Sequence, residues 1–152
     1  MRSDPRISIL RDPREDPRKC SLRGLHGRPD VAFHRWRADR TWDAIGRVLL
    51  AVGAPVLAPE DAAAGLLLLD CSWRRVPSLR RCLLGDPVER SLPPLRTAYP
   101  RTARAGTDPD AGLASIEALY AAVALLWGPD PTLLDGYPSA AAFLAQNPHL
   151  GT

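Results

Sequence analysis

Asp70, Cys71, Ser72 and Trp73 stand side by side directly after the apolar run Leu66-Leu67-Leu68-Leu69, and the chain then turns basic at Arg74 and Arg75. A strand end that delivers a carboxylate, a thiol, a hydroxyl and an indole together is a candidate site. The carboxylate can hold or take a proton, and the indole offers its face to a cation. In open α/β sheets ligands bind beyond the carboxyl ends of the strands, which is where Asp70 falls. The plainer alternative is a strand reaching solvent, with Cys71 filling core. The sequence holds no nucleophile–His–acid set and no glycine-rich phosphate loop. His26, His34 and His149 lie far apart, as do Cys20, Cys71 and Cys82, so no metal site is expected.

The elements that would position Asp70 follow from local pattern. Leu66 to Asp70, after Gly65, reads as a strand buried on both faces, as parallel sheets require. Ile7 to Leu10 is a second strand candidate. Gly46 to Gly53 fits a third, with a helix from Thr41 as its competitor. Pro59-Glu60-Asp61 opens a short helix, since proline and acids suit a first turn. Trp73 to Leu84 is expected to be a helix broken at Pro77, and Pro87 to Pro109 a loop with at most one short strand, Leu95 to Tyr99. The unbroken Ala/Leu run Gly112 to Trp127 predicts a long helix stopped by Gly128-Pro129. Thr132 to Tyr137 and Ser139 to Gln146 are further helical segments. Strands early with helices between and after them predict an α/β fold with a small, mostly parallel sheet and a helical C-terminal part.

At 152 residues the chain is long enough for one domain with a real core. That domain spans 1–152, with a strand-and-loop part to about residue 65 and a more helical part over 66–152. Sixteen prolines, gathered in the first third and near 87–109, predict irregular backbone there. The net charge of +3 is modest, but nineteen Arg stand against one Lys, and the bias is heaviest in the first 40 residues. That pattern fits either a GC-rich coding bias or phosphate recognition, for which the planar guanidinium is the better donor. An acidic partner such as RNA follows from the second reading. No apolar run approaches the roughly 20 residues of a membrane span. Met1 to Arg14 is charged and proline-rich rather than a secretory leader, so a reduced, cytoplasmic protein is expected.

Five blocks occur in a telling order: DPRKCS at 16–21, GRVLLAVGAPVLAPED at 46–61, LLDCSW at 68–73, RSLPPLRTAYP at 90–100 and GLASIEALYAA at 112–122. Together they resemble the S-adenosylmethionine-dependent aminocarboxypropyltransferases that modify small-subunit ribosomal RNA in ribosome biogenesis. That family shows DPKKC(S/T), a GIVL strand followed by (L/V)SPAD, LDCSW, R-x-LP-x-L-x-AANPVNYG and LS-x-x-EALAA. The resemblance implies a SPOUT-like knotted topology, which no sequence pattern could show by itself. It also implies a cofactor, S-adenosylmethionine, bound mainly by the 66–152 part. The 3-amino-3-carboxypropyl group would pass to a uridine-type base nitrogen in structured RNA, in rRNA first of all.

By the same resemblance Asp70 lies near the reacting carbon, either as general base for the weakly acidic imide N–H or as an orienter of the cofactor. Trp73 closes over the cofactor's methyl end. The Leu69 carbonyl accepts from the ribose hydroxyls, and Leu49 and Leu92 line the adenine pocket. Ser21 and the helix start at Ser115 hold the amino-acid end, where helix N–H groups favour a carboxylate. Arg14, Arg18, Lys19 and Arg90 are the expected RNA-backbone contacts, and the protein is expected to act as a monomer.

The chain departs from the family at Ala98 to Gly106, where both Asn and the Tyr of AANPVNYG are gone, at Leu22, at Ala114 and at Ala51. It reads as a divergent, bacterial relative whose acceptor need not be the usual one. Two alternatives stay open: a non-catalytic RNA- or ribosome-binding domain on the same fold, and an S-adenosylmethionine-dependent RNA methyltransferase.

Overall fold

Four consecutive leucines cannot stay in water on either side, and the fold is arranged around covering them. In the computed structural model, which describes residues 5–16, 20–99 and 112–151, they form the centre of strand β5 (Gly65–Asp70). The other strands of this sheet are β1 (Ile7–Arg11), β2 (Val31–Arg35), β4 (Arg47–Leu50) and β7 (Val88–Arg90), in the spatial order β2-β1-β5-β4-β7. Every pairing is parallel. A separate pair, β3 (Trp42–Asp43) and β6 (Leu83–Leu84), is parallel as well.

Side chains alternate between the two faces of a strand, so one register fixes two cores. Ile7, Ile9, Val48, Leu66 and Leu68 point to the main core, which is closed by the long helix α2 (Ser115–Trp127) and by Phe143 of α3 (Ala140–Gln146). Leu10, Leu49 and Leu67 point the other way and pack on Ala44 and on Leu79 of α1 (Val76–Arg80). Tyr120 of α2 meets the Phe143 ring edge-on at 6.3 Å, and its hydroxyl donates to the Leu150 carbonyl. These contacts hold the C-terminal segment against the main core.

Three expectations need correction. The Trp73–Leu84 segment is not one helix broken at Pro77: a single 3-10 turn, Trp73–Arg75, leads into α1. Pro77 lies in the first turn of α1, where a missing N–H costs nothing. Leu95 to Tyr99 forms no strand, because its N–H groups are taken by side chains from elsewhere, as shown below. The first third is less irregular than its prolines suggest, since β2 lies within it. Beyond Val31 that edge strand is only partly buried, so it never needed an apolar run. The strand expected within Gly46–Gly53 is β4, and its competitor, a helix from Thr41, does not form: that segment is β3 followed by a turn in which Asp43 accepts from the Ile45 N–H at 2.9 Å. Among the described residues no helix is long and apolar enough to cross a membrane.

Candidate functional site

β1 and β5 run side by side and end together, with Arg11 in register opposite Asp70. Two charged side chains thus arrive at one carboxyl edge of the sheet, and both are largely buried. The Asp70 side chain is 9% exposed and the Arg11 side chain 15%, with Arg11 Nε 3.4 Å from Asp70 Oδ2. The alignment is too poor for a hydrogen bond, and Arg11 Nε and Nη2 are buried with no hydrogen-bond partner among the described residues. Asp70 Oδ2 instead accepts from the Cys20 thiol at 3.3 Å.

The chain beyond β1 folds back over this edge. The Asp70 carbonyl accepts from the Asp12 N–H at 3.0 Å, and the buried Asp12 carboxylate takes the Arg75 Nε at 3.2 Å and the Arg14 N–H at 3.1 Å. Burial pushes the Asp70 carboxyl up, against the pull of the Cys20 thiol and the Arg11 charge. Glu15 is raised by burial first and then by the charges of Asp70 and Asp12. Burial also pushes the Cys20 thiol up to about 11 and Cys71 up to about 12, with Asp70 adding to the first and Asp12 to the second. Both shifts favour the neutral thiol, the less nucleophilic form. The edge offers a carboxylate of raised basicity beside a guanidinium with spare donors.

A second limb of the site is built on the start of α2. Ser21 Oγ accepts from the Ile116 N–H at 3.1 Å, which ties the DPRKCS segment to one of the helix's orphan donors. Glu117, fully buried one turn in, accepts from four groups. They are Thr97 Oγ1 at 2.6 Å, the Ala98 N–H at 2.8 Å, the Ala114 N–H at 2.9 Å and the Tyr137 hydroxyl at 3.0 Å. Burial, and then the Glu117 charge, push the Tyr137 hydroxyl upward. Asn147 clamps the same loop by accepting from the Arg96 N–H at 2.9 Å and donating to the Arg96 carbonyl at 2.8 Å. A cleft of about 200 Å³ opens here, lined by Cys20, Ser21, Arg23, Tyr99, Tyr137 and Ser139 among others. Cys20 joins the two limbs, lining the cleft while donating to Asp70.

The expected site residues fall as follows. Asp70 and Ser21 belong to the two limbs, and Ser115 is the first residue of α2. Trp73 stands half exposed in the turn just beyond Asp70. Leu69 has its backbone on the β4 side, because the Asp70 carbonyl faces β1 and strand backbone alternates; on that side the registered pairing stops at Leu49–Leu67. Leu92 is partly buried against the main core. Leu49 is 2% exposed and its side chain lies in the second core, away from α2. Arg14 is exposed. Arg90 is held by Asp61, Nε to Oδ2 at 3.0 Å, and is not freely presented. Arg18, Lys19 and the altered loop from Pro100 to Gly106 lie outside the described residues.

Arg11, Glu117, Tyr137 and Asn147 escaped the sequence reading. Glu117 left one trace, an acid near the start of the predicted helix; in α2 it is the third residue, the place of a reciprocal cap. Arg11 left another, a lone charge closing an apolar strand. Among the described residues no group of three or more His, Cys, Asp or Glu is arranged to hold a metal ion.

No known family profile and no curated protein matches the chain. Among solved structures, the SAM-dependent rRNA:acp-transferase Tsr3 from Vulcanisaeta distributa is similar, with a TM-score of 0.71 and 28% identity over 97% of this chain and 82% of that one. The likeness first read from five sequence blocks is therefore present in the backbone of nearly the whole chain.

Two predictions follow from this geometry. Replacing Glu117 by Ala strands four donors, two of them on buried residues, and urea unfolding should show a loss of about 3 kcal/mol or more, with Glu117→Gln losing less. An unchanged midpoint would mean that the loop does not depend on the carboxylate. For Asp70, a folded pKa raised above the unfolded one gives stability that is present at low pH and lost as pH rises through the folded value. Unfolding series for wild type and Asp70→Asn should therefore diverge upward from about pH 4, the ordinary Asp range, with the wild type losing ground to the variant.

Proposed function

We propose that this protein transfers the 3-amino-3-carboxypropyl group of S-adenosylmethionine to a uridine-type base nitrogen in structured RNA, rRNA first of all. The observation that carries the proposal is the likeness to Tsr3 over 97% of the chain, at an identity of 28%. The site geometry agrees with it. An amino-acid end bearing a carboxylate and an ammonium suits an edge with unfilled guanidinium N–H groups on Arg11, a carboxylate on Asp70 and a helix start at Ser115. The residues present fit the cofactor.

When bound, S-adenosylmethionine supplies a sulfonium with three electrophilic carbons, of which orientation selects one. In this reading Ser21 and Ser115 hold the amino-acid end, with Arg11 as an added partner for its carboxylate. The Leu69 carbonyl, past the end of the β4 pairing, accepts from the ribose hydroxyls. Leu92 and the backbone at Leu49 border the adenine. Trp73 sets an indole face against the cation and covers the methyl.

Asp70 takes the imide proton onto its carboxylate. Burial raises its basicity while Cys20 and Arg11 keep it from becoming a permanent acid, which brings it nearer the range where proton transfer is efficient. Orienting the cofactor is the alternative duty for the same carboxylate. Exposed Arg14, with Arg18 and Lys19, would track the RNA backbone. Arg90 contributes least, because it would have to leave Asp61. The knotted threading implied by the resemblance is part of this proposal; the strand order supplies its parallel sheet but not the thread. So are a monomeric state and a cytoplasmic setting.

Calorimetric titration with S-adenosylmethionine tests the reading. Wild type should bind, and Trp73→Ala should weaken binding by about tenfold or more, equivalent to roughly 1.4 kcal/mol. No binding by the wild type would remove both the aminocarboxypropyl and the methyl transferase readings and leave the RNA-binding domain.

A further inference from the structure

A further cleft, about 470 Å³, lies away from the α2 start. It is lined by Trp36, Arg40, Thr41, Ser78, Arg81 and Cys82, together with the Ala38–Asp39 turn. That places it between the segment following β2 and the end of α1. Trp36 is fixed there by its backbone N–H, which donates to the Arg11 carbonyl at 2.8 Å and so extends the sheet's carboxyl edge by one residue. Arg75 connects the two places directly. Its Nε reaches Asp12 at 3.2 Å while its guanidinium lies 5.1 Å from the Trp36 ring centre. Asp12 in turn donates its backbone N–H to the Asp70 carbonyl. Cleft and candidate site are neighbours on one edge.

The chemistry of the lining is specific in kind. An aromatic wall stands next to two exposed guanidinium groups, Arg40 and Arg81. The lining's single acid, Asp39, is matched by Arg37, whose Nε donates to it at 3.3 Å. Arg81 is steadied at the end of α1 by bonds from its Nε to the Pro77 carbonyl and from its Nη2 to Ser78 Oγ. The Cys82 thiol is spent on the Leu79 carbonyl. The volume is within the range of about 300–1,000 Å³ usual for small-ligand sites. A flat apolar surface flanked by cations is how proteins hold unpaired nucleotides, the base on the ring and the phosphates on arginine.

We infer that this cleft is a subsite for an unpaired RNA nucleotide, with its base against Trp36 and its flanking phosphates on Arg40 and Arg81. Its role of holding the nucleotide next to the acceptor base rests on the proposed function; the nucleotide site itself does not. A strand anchored here passes across the Arg75–Asp12 bridge toward Asp70, which sets the distance between the held nucleotide and the modified one.

The four indole N–H resonances of Trp36, Trp42, Trp73 and Trp127 give a direct readout in the intact protein. Adding a short oligouridylate should move the Trp36 signal. Fluorescence anisotropy with the same oligonucleotide should show about a tenfold loss of affinity for the surface variant Arg40→Glu/Arg81→Glu, with thermal unfolding unchanged. Trp36→Leu, which alters no charge, should weaken binding several-fold. A silent Trp36 in the presence of bound RNA would overturn the inference, as would a loss from charge reversal with Trp36 unmoved, which marks mere charge attraction. Titrating S-adenosylmethionine into the same sample separates the two claims. Cofactor binding without a Trp36 response removes the subsite alone, and a Trp36 response without cofactor binding removes the transferase reading alone.

Discussion

A strand buried on both faces can end only where its last residues find partners or water, and β5 ends in an aspartate that finds mostly partners. Its four leucines force β1 and β4 alongside and helices onto both faces. Parallel pairing in register then brings Arg11 to the same edge as Asp70. Burying two opposite charges is costly unless geometry and hydrogen bonds repay it. Here the repayment is incomplete, with two guanidinium nitrogens unfilled and the Asp70 carboxyl pushed up by burial. Incomplete satisfaction at a strand end is what a ligand can complete.

Glu117 does for the α2 limb what β5 does for the sheet. One carboxylate gathers the N–H of Ala114 just before α2 and, from segments distant in sequence, a loop N–H, a threonine hydroxyl and a tyrosine hydroxyl. It thereby fixes Tyr99 and Tyr137, which stack at 6.4 Å and both line the smaller cleft. Cys20 and Ser21 couple this limb to Asp70 and to the start of α2, so a short segment, not a large one, sets the spacing between the two halves of the site.

The sequence disclosed those parts whose determinants are local. β5 was legible because burial on both faces demands an uninterrupted apolar run, and α2 because a long Ala/Leu stretch has no competing structure. β2 was not, since an edge strand needs little apolar burial, and α1 was misjudged because a proline breaks a helix interior but not a first turn. In the site, Asp70 announced itself by closing a buried strand. Arg11 did not, because its meaning depends on a register with a strand more than fifty residues away. Glu117 needed the Thr97–Ala98 loop to be placed before its role could be seen. The pairing of Arg90 with Asp61, which occupies an expected RNA contact, is likewise a matter of tertiary placement.

The central claim is that this edge moves the aminocarboxypropyl group and not the methyl. It is tested most directly by incubating the protein and RNA with S-adenosylmethionine carrying one isotope on the methyl and another on the carboxyl carbon, then digesting the RNA to nucleosides. The account predicts that the carboxyl label enters a uridine-type nucleoside while the methyl label stays behind with the released thioether, and that Asp70→Asn reduces the transfer. Methyl label in the RNA, or neither label with cofactor bound, would contradict it.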